Sequence, residues 1–169
     1  MKKQTYMALA CLAGMSVMPP AIAASSAAQT TAGDDTSALH ALWAGYEHAV
    51  ASKDAAALLT MYVDADVPVV GAIAPRSYAV ISAANKQAVP RTMRMTAKDD
   101  VTGEVKLPPD QIENLSIHTD GEVGTVSFDY KAKIGHGRII WSTVHTNDGW
   151  KIAAVVYSIN VPAADKPHT

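Results

Sequence analysis

Tyr46 is the first residue whose type and position suggest chemistry. It shares a three- and four-residue spacing with Leu39, Leu42, Trp43 and Val50, so its phenol sits on the apolar stripe of an amphipathic helix. A hydroxyl there can orient the carbonyl or hydroxyl of a bound molecule. It can equally find a partner inside the protein, as buried tyrosines usually do. Trp43, Tyr62, Phe128, Trp141 and Tyr157 offer an aromatic wall around such a molecule, or simply a packed core. Val126 shares the Phe128 face of a strand on which apolar and polar residues alternate.

The histidines carry less. His48 lies two positions from both Tyr46 and Val50, which turns it off the apolar face of the helix. His136 sits between two glycines and reads as a turn residue, while His145 alternates with Trp141 and Thr143 on a late strand and could reach a pocket. None of the three pairs at a metal-ligand spacing, and no metal or cofactor site is expected. Asp129 alternates with Phe128 and reads as a surface charge; Asp64 and Asp66 read as a solvated turn. No Ser/His/Asp set and no Gly-rich phosphate loop is present, so the sequence assigns no catalytic residue.

Composition bounds the setting. The chain has 169 residues, enough for one domain. Met1-Lys2-Lys3, an apolar run over 6–18, Pro19-Pro20 and Ala21-Ile22-Ala23 have the form of a secretory signal peptide, which predicts cleavage after residue 23 and a periplasmic or secreted domain. Cys11, the only cysteine, falls inside that signal, and its upstream residues make a poor lipoprotein signal. The 14 basic residues less Lys2 and Lys3 leave 12 against 16 acidic ones, a net charge of −4. That balance suits neither nucleic acid nor an anionic membrane surface.

The elements that must position these residues follow from periodicity. Residues 24–33 form a flexible Ala/Ser/Thr leader, 34–162 the domain and 163–169 a tail. Asp34-Asp35-Thr36 opens the first helix, and Asp54 caps a second with Ala57, Leu58, Met61 and Tyr62 inward. A strand "VPVVGAIAP" and a short third helix "SYAVISAANKQAV" come next. Residues 92–110 look irregular, and "RTMRM" at 91–95 suggests a loop, a lid or a dimer contact. Beyond them the period becomes two: turns at Asp120-Gly121, "GHG" (135–137) and "NDG" (147–149) separate four strands of an antiparallel meander. The fold class is α+β.

This order, together with "TNDGWKIAAVVYS" at 146–158, resembles the NTF2-like (SnoaL-like) superfamily, a cone of curved antiparallel sheet around a long helix. "PRS" at 75–77 and "TVSFDY" at 125–130 echo ketosteroid isomerase, one enzyme of that fold. The resemblance implies that Val126 and Phe128 face the cone, and that Tyr46, eight residues before Asp54, matches an oxyanion-hole tyrosine. It also places Val70 at the catalytic base and Trp141 or Ser142 at the second acid, so steroid isomerisation lacks its proton carriers.

Three functions stay open from these residues. One is a binder of a small apolar ligand, with Tyr46, Trp43, Tyr62, Val126, Phe128, Trp141, His145 and Tyr157 lining its pocket. The second is a SnoaL-like enzyme of isomerase, cyclase or dehydratase type on a cyclic substrate, for which only His145 and His48 present themselves as bases. The third is an interaction module, most simply a homodimer through the outer sheet face.

Overall fold

A computed structural model describes residues 32–133 and 135–162. The expected signal peptide with Cys11, nearly all of the expected leader, Ile134 and the tail lie outside the described residues. Helix α1 (Ala32–Ser52) starts two residues ahead of the expected boundary and carries Asp34 and Asp35 in its first turn, where negative charge suits the helix dipole. It ends on Lys53, at φ 56°. The Lys53 amide donates to the Val50 carbonyl at 3.1 Å and the Asp54 amide to that of Ala49 at 2.9 Å, a paired closure usually built on glycine. Asp54 then caps α2 (Ala55–Thr60) by accepting from the Ala57 amide at 2.9 Å.

Strand β1 (Pro68–Ile73) leads to α3 (Pro75–Ala84), whose first residue is a proline fixed at a helical φ. Then come β2 (Thr92–Thr96), α4 (Ala97–Glu104), β3 (Gln111–Thr119), β4 (Val123–Ala132), β5 (Gly135–Thr146) and β6 (Gly149–Ile159). They form one sheet in the order β2-β1-β6-β5-β4-β3. The long strands pair as successive hairpins, closed at Gly121 (φ 104°) and Gly149 (φ 90°). α1 packs against both β3 and β6 although β4 and β5 lie between them, so the sheet curves around the helix. Leu39, Trp43 and Ala49 of α1 meet Val126, Phe128, Trp141, Ile152 and Val155 in one buried cluster. Gly124 makes room for this contact, since a Cβ there would fall 2.9 Å from the Leu39 Cδ1.

The α+β class stands, and three expectations change. The sheet is mixed, because β1 joins β6 in parallel through Val69↔Val155 and Gly71↔Tyr157. Residues 92–104 are regular: "TMRM" belongs to β2, an edge strand paired with β1, and α4 follows at once. The "GHG" segment is also strand, with His136 exposed on β5 and its amide donating to the Asn160 carbonyl at 2.8 Å. Among the described residues no helix is long and apolar enough to cross a membrane.

Two substitutions test this account by urea unfolding. Leu39→Ala, at a fully buried contact between α1 and the sheet, should cost about 2–5 kcal/mol. Lys53→Gly should raise stability by about 0.5–1 kcal/mol, because glycine takes the left-handed conformation without a Cβ penalty.

Candidate functional site

The sheet is longer than the part of α1 that fills it. Leu39 and Trp43 occupy one end of the curve, and beyond Tyr46 the inside is hollow. A cavity of about 670 Å³ opens there, bounded by Tyr46, Glu47 and Val50 of α1 and by Phe128, Tyr130 and Ala132 of β4. Ile139 and Trp141 of β5 and Val155, Tyr157 and Ile159 of β6 complete its sheet wall. Tyr62, Val69 and Met93 close another side, and Asp100, Glu104 and Asp110 come from α4 and the loop after it.

Four rings divide the packed end from the hollow one. Trp43 meets Phe128 edge-on at 4.6 Å between centroids, and Tyr46 meets Trp141 edge-on at 4.8 Å. This layer explains which of the expected pocket residues reach the cavity. Tyr46, Tyr62, Phe128, Trp141 and Tyr157 line it. Trp43 and Val126 are buried on the filled side of the layer and do not. His145 lies farther still along β5, exposed near the hairpin tip and stacked on Trp150 at 5.1 Å. Strand alternation gave His145 an inward direction, but not its distance along the cone. His48 is exposed on the outer face of α1. On β1 it is Val69, not Val70, that faces the cavity. Neither valine can move a proton.

The carboxyls of the site come from the segment that looked irregular. Thr96 caps α4, its hydroxyl accepting from the Asp99 amide at 3.2 Å and donating to the Asp99 carboxylate at 2.9 Å. Ala97 and Val101 are buried beneath the helix, which leaves Asp100 and Glu104, one turn apart, turned to the cavity. The sequence held this signal in Thr96-x-x-Asp99 followed by Ala97, Val101 and Val105 at helical spacing; Gly103 and the run of polar residues masked it.

Burial pushes the Asp100 carboxyl up to about 6. Burial, then the charges of Asp100 and Asp110, takes Glu104 to about 7. Asp110 is raised by burial as well. Tyr46 is held well above the ordinary phenol value, first by burial and then by Glu104 and its acidic neighbours, so it stays a hydrogen-bond donor at any working pH. Tyr130 is raised to about 12 by burial, and its hydroxyl donates to the Ser158 carbonyl at 3.0 Å. By contrast the hydroxyls of Tyr46, Tyr62 and Tyr157 and the carboxyls of Asp100, Glu104 and Asp110 have no hydrogen-bond partner among the described residues.

Asp129 behaves in the opposite way on the outer face. Arg138 grips it with two hydrogen bonds at 2.8 and 3.1 Å and Asn114 adds a third at 2.7 Å, which lowers it to about 2. Asp64 is an exposed turn residue that accepts from the Asp66 amide at 2.8 Å. Among the described residues no group of three His, Cys, Asp or Glu side chains is placed to hold a metal ion.

With this geometry in hand, solved structures identify the architecture. The chain has the NTF2-like fold. An NTF2-like protein of unknown function from Silicibacter pomeroyi DSS-3 superposes with a TM-score of 0.58, covering 77% of this chain and 99% of that one at 14% identity. A second, from Shewanella baltica OS155, gives 0.59 over 79% and 99% at 9% identity. A third, from Pseudomonas putida KT2440, gives 0.53 over 79% and 91% at 11% identity. No family model matches the chain, and no curated protein matches it in sequence. The NTF2-like cone is therefore shared, and the acids on its α4 must be read from this chain alone.

The raised carboxyls set a pH dependence. Asp100 and Glu104 keep their protons to higher pH in the folded chain than in the unfolded one, where they titrate near 3.8 and 4.5. The folded state therefore binds more protons between about pH 4 and 7, and stability falls as pH rises through that window. Urea unfolding at pH 5 and pH 8 should show this loss. The double variant D100N/E104Q should flatten it and be more stable than the wild type at pH 8, by on the order of 2 kcal/mol.

Proposed function

We propose that this domain binds a small, largely apolar molecule inside the cone, with the molecule's polar end turned to Tyr46, Tyr62, Asp100 and Glu104. The observation that carries this reading is a cavity of about 670 Å³ whose apolar walls converge on polar side chains without protein partners. A cavity of that size suits a ligand of one to three rings. The signal-like segment at 1–23 fits a domain that works outside the cytoplasm, where a retained molecule would be met in the periplasm or the medium. Native mass spectrometry of residues 24–169, purified from the periplasm without denaturation, should show a mass excess that denaturation removes. The same spectrum reads the stoichiometry. Ala132→Trp, which fills the cavity from β4, should abolish the excess while leaving the fold intact.

The buried carboxyls favour a second reading, a proton-transfer enzyme on a cyclic substrate. A base inside the cone was the missing requirement when only His48 and His145 came into view, and Asp100 and Glu104 meet it with values near the operating pH. Either carboxylate could take a proton from a carbon next to a carbonyl whose oxygen accepts from Tyr46. Deuterium exchange into a bound cyclic ketone, followed by proton NMR, tests it. Wild type and the double variant His48→Ala/His145→Ala should exchange alike, and D100N/E104Q should be at least tenfold slower. Binding without exchange would leave the domain a carrier.

A further inference from the structure

The cavity's charge is one-sided. Four acids line it, Glu47 from α1, Asp100 and Glu104 from α4 and Asp110 from the loop after α4, and no Lys, Arg or His does. A solvated acidic face would be unremarkable, but these groups stand at an aromatic chamber. The rings of Tyr46, Tyr62, Phe128, Trp141 and Tyr157 surround the same space. A second feature is independent of the acids. Tyr46 is partly buried on the cavity wall, and its hydroxyl has no hydrogen-bond partner among the described residues. A partly buried phenol on a chamber wall that is unpaired within the protein leaves a hydrogen bond for a ligand atom.

We infer that the ligand of this cavity is an organic cation, an ammonium group carried on an apolar body. The inference rests on the reading that the cavity holds a ligand, and it names the class. Carboxylates supply the counter-charge, the electron-rich faces of the rings stabilise a cation held within about 6 Å, and the lone pairs of the Tyr46 oxygen face the charged head. A neutral apolar molecule would use the walls but leave the acids unanswered. An anion would meet Asp100, Glu104 and Asp110 with nothing to offset them. Burial, and for Glu104 also its acidic neighbours, keeps these carboxyls protonated to higher pH than usual, and a cation among them reverses that balance. Its binding therefore releases protons and strengthens from pH 5 to pH 8. The titratable groups facing the acids are Tyr46 and Glu47 of α1, Tyr62 after α2, Tyr130 of β4 and Tyr157 of β6, and the tyrosines stay neutral throughout that range.

The test compares two molecules of one shape, benzyltrimethylammonium and its uncharged carbon isostere neopentylbenzene, titrated into residues 24–169 at pH 8 with Trp fluorescence as readout. Trp141, on the cavity wall, should report both. The cation should bind at least tenfold more tightly than the isostere. D100N/E104Q should weaken the cation at least tenfold and leave the isostere within twofold. If the isostere binds as tightly as the cation, the class is wrong and the apolar pocket stands. If neither binds, the class and the pocket reading fall together. The wild-type comparison decides the matter even if the double variant does not fold.

Discussion

A sheet that curves must enclose something, and here one layer of four rings determines what. Trp43 and Tyr46 come from α1, Phe128 from β4 and Trp141 from β5, packed edge to face. Below the layer, aliphatic side chains of the helix fill the space at the density of an ordinary core. Above it the last turns of α1 form one wall of the cavity through Glu47 and Val50. The layer both anchors α1 to the sheet and forms the cavity floor, so the core and the cavity share residues. Tyr46 embodies this double duty, with its ring in the core contact and its hydroxyl in the chamber.

Among the described residues, the acids above the floor lack the hydrogen-bond partners that the outer surface gives Asp129. Asp129 gains three hydrogen bonds from side chains around it and ionises easily. Asp100 and Glu104 gain none from the described residues and sit one helical turn apart, where like charges oppose each other. Proteins seldom keep such groups in a half-buried place without a use for them. The helix that carries them is short, and its stability depends on Ala97 and Val101 docking beneath it and on the Thr96 cap.

Local pattern made much of this legible in the sequence. The apolar stripe of α1, the Asp54 cap, the Pro75 helix start and the glycine hairpins each depend on residues a few positions apart. Strand alternation likewise put Phe128 on the apolar face of its strand. Two kinds of information were not local. The parallel pairing of β1 with β6 joins distant residues, and nothing in either strand announces it. Depth along the cone was equally hidden, so Trp43, Val126 and His145 were grouped with residues that reach the chamber although a layer of rings separates them from it. Residues 92–104 failed differently. β2 is an edge strand on which Thr92, Met93 and Arg94 are exposed, and α4 is polar on most sides, so neither shows a clear period.

The parallel pairing also bears on how the molecule is made. β3 to β6 are joined by tight hairpins and can zip up locally, one strand after the next. β1 has no such route: Val69 must wait for Val155, near the far end of the domain, and closing that long loop is entropically slow. Because both valines belong to the cavity wall, the chamber is among the last features to form. A partly folded chain therefore has most of its sheet and core before it has the chamber.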